Sequence, residues 1–138
     1  MIEQGLFTHL SNLEPLVALV GSNIYPGIAP QDVSAPYLVF VSVSDNEYYD
    51  LGGDIGLSEA RIQIECWADS YISSKELSEV VRMHISGFAG YFGNVKIQRC
   101  VRSSVFDRID NDAEEQGNAR YCAVCDYEIV YEKERAYL

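Results

Sequence analysis

Leu57-Ser-Glu-Ala-Arg-Ile-Gln-Ile-Glu-Cys-Trp-Ala68 alternates strictly. Ala60, Ile62, Ile64, Cys66 and Ala68 point one way. Glu59, Arg61, Gln63, Glu65 and Trp67 point the other. Successive side chains of a strand leave opposite faces, so period two over this length predicts a strand with one face on a core. The other face is wet or lies at an interface.

The flanking segments supply partners for that strand. Tyr37–Ser44 is apolar on both sides through Val41, which predicts a strand covered on both faces. Val95–Phe106 alternates, with Val95, Ile97, Val101 and Val105 on one side. Ala119–Tyr131 alternates too, with Tyr121, Ala123, Cys125, Tyr127, Ile129 and Tyr131 on one face and Arg120, Asp126, Glu128 and Glu132 on the other. Helical spacing appears elsewhere. Ile2, Leu6, Leu10 and Leu13 recur every three or four residues. Pro15 breaks that helix near Ser11-Asn12 and suits the first turn of a short second one, which Gly21 ends. In that second helix Leu16, Val17, Leu19 and Val20 are the expected buried side. Asn23–Pro30 reads as a turn-rich connector, and Ala35-Pro36 enforces extended backbone before Tyr37. Asp69 or Ser70 can cap a third helix, with Ser73 and Glu76 as a capping box. Its stripe is Leu77, Val80, Val81, His84, Ile85 and Phe88, and Gly87, Gly90 and Gly93 loosen the turn after it.

The expected fold is therefore α+β, a four-stranded mainly antiparallel sheet with helices packed on one face. The order is α-β-β-α-β-β, with the short helix after the first. At 138 residues the chain fits one domain, 1–138. Mobile loops are expected at about 45–56 and 107–118, and a frayed tail from about 132. A hydrophobic share of 48% excludes general disorder. No apolar run reaches the roughly 18 residues of a membrane span. The N-terminus lacks the basic and apolar regions of a secretory signal.

Net charge is −11. That counts against nucleic-acid binding as a primary task, since phosphate neutralisation needs Lys and Arg. It suits a wall that DNA slides past. The charge is localised. Asp45–Gly56 holds four acids and no base, and Asp107–Asn118 holds five acids against Arg108, so eight of the eleven net charges fall in two segments. Tyr48, Tyr49, Asp50 and Asp54 in the first, and Asp110, Asp112, Glu114 and Glu115 in the second, are the candidate partner-facing residues, and the resemblance given below implies a lumen lining as their other role. Tyrosine is favoured at interfaces.

Catalytic signatures do not emerge. Phosphate-binding glycine loops and a Gly-x-Ser-x-Gly elbow are missing. His9 and His84 fall on separate helices. Cys122 and Cys125 are three apart on a strand, so their thiols leave opposite faces and do not make a zinc or redox pair. Cys66 and Cys100 sit in apolar or strand-like runs and read as structural thiols. Asp110 and Asp112 lack the glycine and glutamate of a calcium loop. A metal-dependent enzyme built on Asp110, Asp112 and His84 is the weakest of the readings, and no cofactor is expected.

One ordered series carries a resemblance: Leu19-Val-Gly-Ser-Asn-Ile-Tyr-Pro-Gly-Ile-Ala-Pro30, then Ala35-Pro-Tyr-Leu-Val-Phe40, then Leu57–Trp67, then Arg120-Tyr121 and Asp126-Tyr-Glu-Ile-Val-Tyr131. It resembles the tail terminator (tail completion, tail-to-head joining) proteins of long-tailed bacteriophages, from Leu16 to Tyr131. The two acidic segments depart from that pattern. The resemblance implies a structural protein without catalytic residues. It implies a ring of copies, usually a hexamer, that caps the tail tube, stops tube polymerisation and offers a head-joining surface. The implied partners are the chain itself, the major tail tube protein, the head-completion or connector protein, and DNA only in passage through the lumen. The implied place is the head-proximal end of the virion tail, assembled in the host bacterial cytoplasm. A head-completion or minor tail protein of similar fold is the alternative. Edge strands, with their unpaired backbone groups, are a natural contact between ring neighbours.

Overall fold

The alternating stretch lies within one of the two longest strands, and the sheet is built around it. The computed structural model describes residues 1–110 and 120–133, apart from the side chains of Asp50 and Asp54. In chain order the elements are α1 (Ile2–Ser11), α2 (Glu14–Val20), β1 (Ile24–Pro26), β2 (Tyr37–Asp50), β3 (Gly53–Ala68), α3 (Tyr71–Ile85), β4 (Gly90–Phe92), β5 (Val95–Asp110) and β6 (Arg120–Glu132). On β3, Ala60, Ile62, Ile64, Cys66 and Ala68 are buried, while Arg61, Gln63, Glu65 and Trp67 stay at least partly exposed.

The expected four-stranded antiparallel sheet is corrected. The sheet has six strands in the order β1-β2-β3-β6-β5-β4, and it curls into a half-barrel rather than forming one layer of a flat sandwich. It is mixed, because β1 runs parallel to β2, pairing Ile24 with Leu38 and Pro26 with Phe40. The remaining pairs are antiparallel. Two strands escaped sequence reading because each is three residues long and sits in a breaker-rich segment. β1 ends on Pro26, which is tolerated at a sheet edge because its missing N–H is not needed there. β4 begins at Gly90 and pairs with Val95–Ile97.

Curling has two causes. β2, β3, β5 and β6 are 14, 16, 16 and 13 residues long, against a usual strand of roughly 3–10 residues. Twist accumulates over such lengths, so a flat layer is not available. Register shifts also interrupt the pairing at Ser42/Ser44, Glu47/Tyr49, Ile97/Arg99 and Arg102/Ser104. Three of them add one residue to one strand, Glu47/Tyr49 adds two to β3, and each bends the strand that carries the excess.

The main core lies inside the curl. Ile2, Leu6 and Leu10 of α1, Leu16 and Val20 of α2, and Leu77, Val81 and Ile85 of α3 meet Leu38, Phe40, Ile62, Ile64, Ile97, Tyr127 and Ile129. Each such aliphatic side chain contributes about 1.5–3 kcal/mol when fully buried. Val17 and Leu19, expected inside, are exposed. Outside the curl, the 27–36 connector folds over β2, where Val33, Tyr37 and Val39 pack with Tyr25, Ala29, Ala35 and Trp67. That second cluster explains why β2 starts apolar on both sides. Ser70 caps α3 by accepting from Ser73 N at 3.1 Å. The four thiols are free and buried. Cys125 joins the inner core, whereas Cys122 stands opposite Trp67 on the outer side.

Asp45–Asp50 and Asp107–Asp110, at the start of the two acid-rich stretches, are strand. β2 continues to Asp50, turns through Leu51-Gly52, and β3 restarts at Gly53. Gly53 has φ +110, a conformation that favours glycine. β5 likewise runs on through Asp107 to Asp110.

Candidate assembly surfaces

Strand order places the two acid-rich hairpin ends apart. β3 pairs with β6 from Leu57 opposite Glu132 to Ala68 opposite Tyr121. The β2–β3 turn therefore lies past the C-terminal end of β6. Asp110 faces Arg120 at the other end of the sheet. Sixteen residues of β3 span on the order of 50 Å. The crossover sets this arrangement: α3 carries the chain back along the sheet, so β5 starts near the first hairpin and runs away from it.

The β2–β3 end is an arm, because Gly53–Gly56 lie beyond the β3–β6 pairing. Its tip is aromatic and apolar: Leu51 is fully exposed, Tyr49 is 65% exposed, and Tyr48 and Ile55 are exposed as well. Acids bind the hydroxyls. Tyr48 Oη donates to Glu59, and Tyr49 Oη donates to Glu47. Lys133 Nζ reaches Glu47 at 2.9 Å and sits 5.9 Å over the Tyr49 ring. The Glu59 carboxylate beside it raises the Tyr48 hydroxyl above its ordinary pKa. At the base of the arm, Tyr131 Oη donates to Asp45, and burial leads the causes that raise its pKa. Asp50 pairs with Gly53, and Asp54 with Tyr49, along the backbone.

At the opposite end, Asp110 closes β5. Asp112, Glu114 and Glu115 lie outside the described residues. Nearby, Arg120 stabilises the connector: it donates to Val33 O at 3.2 Å and to Tyr37 Oη at 3.3 Å, and stands over the Tyr37 ring. Tyr37 stacks on Trp67, whose Nε1 donates to Glu65 at 2.9 Å. Glu65 also takes Arg108 at 3.3 Å. Tyr71 and Lys75 of α3 hold Asp107 below the usual carboxylate range, Lys75 contributing most.

Sequence reading missed the carboxylate on the outer face of β6. Asp126 is 3% exposed. It accepts from Arg61 Nη2 at 2.7 Å, Ser104 Oγ at 3.0 Å and Gln63 Nε2 at 3.3 Å. Burial raises its pKa, but the donors together outweigh burial and leave it lowered. An acid inside a strand whose neighbours are Cys125 and Tyr127 was the available signal.

Of the residues of the enzyme reading, the two that are described, His84 and Asp110, lie far apart. His84 Nδ1 bonds Val80 O at 2.8 Å, near the end of α3. Gly87, just beyond, meets Cys100, ten residues of β5 before Asp110. That separation is on the order of 30 Å. His9 packs against both Phe88 and Phe92, which stack on each other, and burial lowers its pKa. Among the described residues no group of three or more His, Cys, Asp or Glu could hold a metal ion.

This architecture is similar to that of a chain in a solved virion particle. A chain from the virion of a native gene transfer agent particle superposes with a TM-score of 0.73 over 94% of both chains. Its identity is 16%, so the likeness is one of fold. No curated protein matches the chain. The family model of Tail completion protein gp17 matches residues 4–132. With nearly its whole length inside that match, the chain belongs to the tail completion protein gp17 family, a family of structural proteins of the phage tail.

Proposed function

We propose that this chain forms a ring at the head-proximal end of the virion tail. The ring caps the tail tube, stops further tube subunits from adding, and offers the head-joining surface. A hexamer is the expected ring. The observation that carries the reading is the placing of the two hairpin ends about 50 Å apart on one sheet. A cap needs two faces, one for the tube protein and one for the connector, and this build supplies both. Copies arranged around an axis use two different patches each, so the contact closes by rotation. The acid-rich ends repel phosphate, which suits DNA passing through a lumen without being held. Nothing in this task needs bond chemistry. Assembly takes place in the host bacterial cytoplasm.

Electron microscopy of particles made without this chain tests the proposal. Overlong tails unattached to heads are expected. Empty or leaking heads on tails of normal length would instead indicate a head-completion protein and overturn the capping role.

A further inference from the structure

The tip of the β2–β3 arm gathers four exposed apolar or aromatic side chains, Tyr48, Tyr49, Leu51 and Ile55, within eight residues. Such residues scattered singly over a surface need no explanation, whereas a cluster of them marks a contact. The tip is also held in shape. Tyr49 pairs with Asp54 and Asp50 with Gly53 along the backbone, so it is a hairpin and not a loose loop. Glu59 and Glu47 accept from the two tyrosine hydroxyls, and Lys133 stands over the Tyr49 ring. A shape set before contact lowers the entropy cost of contact.

Charge decides what this tip can meet. Asp45–Gly56 carries four acids and no base, and Lys133 pairs with one of the four, Glu47. DNA is a poor receiver, because its phosphates are repelled. A second copy is a poor receiver as well. Its net charge is −11. Of its nine described lysines and arginines, seven already stand within ion-pair distance of an acid of their own chain. The other two, Arg99 and Arg120, are engaged differently. Arg120 donates to Val33 O and Tyr37 Oη, and Arg99 lies within electrostatic reach of Tyr48 on its own arm. The receiver that fits is a different protein, with an apolar pocket for the tip and bases around the rim.

We propose that the arm tip, with Tyr49, Leu51 and Ile55 as its anchors, docks into an apolar pocket rimmed by lysine and arginine on a different protein of the particle. The proposal rests on the cap reading above and names the chemistry of one of its two contacts. The anchors supply the affinity. The acids orient the tip and reject a second copy.

Two measurements on the full chain test it. In the first, benzoylphenylalanine replaces Leu51, and light-induced cross-links in assembled particles are mapped by mass spectrometry. A cross-link to a different particle protein is expected, at apolar residues flanked by lysine or arginine. A cross-link to a second copy, to DNA or to nothing would overturn the proposal and leave the cap reading standing. In the second, Leu51→Ser with Ile55→Ser is compared with the unaltered chain for binding to purified tail tubes and to purified head connector. Both positions are exposed, so an unchanged urea midpoint establishes that the variant folds. Binding to one of the two should weaken at least about tenfold. Ile28→Ser, at an exposed position away from the arm, should leave it unchanged. Equal binding by all three chains would overturn the arm contact alone. No binding of the unaltered chain to either tubes or connector would overturn the cap reading with it.

Discussion

Asp126 shows how one side chain is held charged in an apolar setting. Its nearest sequence neighbours are core residues, yet three donors from β3 and β5 converge on its carboxylate. The pairing ties the three adjacent strands β3, β6 and β5 together across the outer face. Because the folded pKa is lowered, the unfolded chain binds the proton more readily. The carboxylate therefore contributes its stability fully above its unfolded value near 3.8, and loses it as pH falls through the lower folded value. Asp126→Asn keeps the volume and removes the charge. Arg61 is half exposed, so water rescues part of its loss. The expected cost is about 1–3 kcal/mol at pH 7. Urea midpoints should show that gap at neutral pH and a narrowing gap toward pH 3. A gap that stays constant would mean the loss is packing, not charge.

Where two elements touch, Gly5 decides the approach of α1 to β4. Glycine inside a helix is a poor choice by propensity, and Ala would gain about 1 kcal/mol on that ground alone. Here a Cβ would stand 2.5 Å from Phe92 O and 3.1 Å from Val95 Cγ2. Phe92 is paired to Val95, so its carbonyl cannot retreat without opening the sheet edge. Overpacking of this kind costs about 1–3 kcal/mol. Gly5→Ala should therefore lower the melting temperature, whereas Gln4→Ala at an exposed neighbouring position should not. A stabilised Gly5→Ala would mean α1 sits further from β4. The same contact shows why some elements could be read beforehand and others could not. β3 and β6 announce themselves by alternation over a dozen residues, and on β3 that alternation records which face is buried, whereas on β6 Cys122, Val124 and Asp126 of the outer face are buried too. α1 and α3 do so by their stripes. β1 and β4 have three residues each, too few for a period, and Pro26 and Gly90 argue against strand. Curvature is set by bulges such as Ser42/Ser44, where nothing in the residue types marks the extra residue. The acidic stretches were visible as charge, but a charge count does not reveal that Asp45–Asp50 is strand.

Across the full length of the molecule, the consequential fact is that its two acid-rich ends do not face the same way. Composition placed eight of eleven net charges in two segments, and only the strand pairing shows that Asp45–Asp50 and Asp107–Asp110 run to opposite ends of the sheet. A hairpin turn can lie at either end of a sheet; the path of α3 decides which. If the chain is a cap between tube and connector, each end serves a different partner. Neutralising one end should then leave the other contact intact, since charges on the order of 50 Å apart lie several Debye lengths from each other at physiological salt. Asp50→Asn with Asp54→Asn tests the arm, and Asp110→Asn with Asp112→Asn tests the far end. Circular dichroism first establishes that both variants fold. Electron microscopy of assembled particles then separates them: one variant should yield overlong tubes, the other correctly ended tails that fail to join heads. Identical defects from both would mean the two ends act on one partner or line one lumen, and the two-faced arrangement would have to be given up.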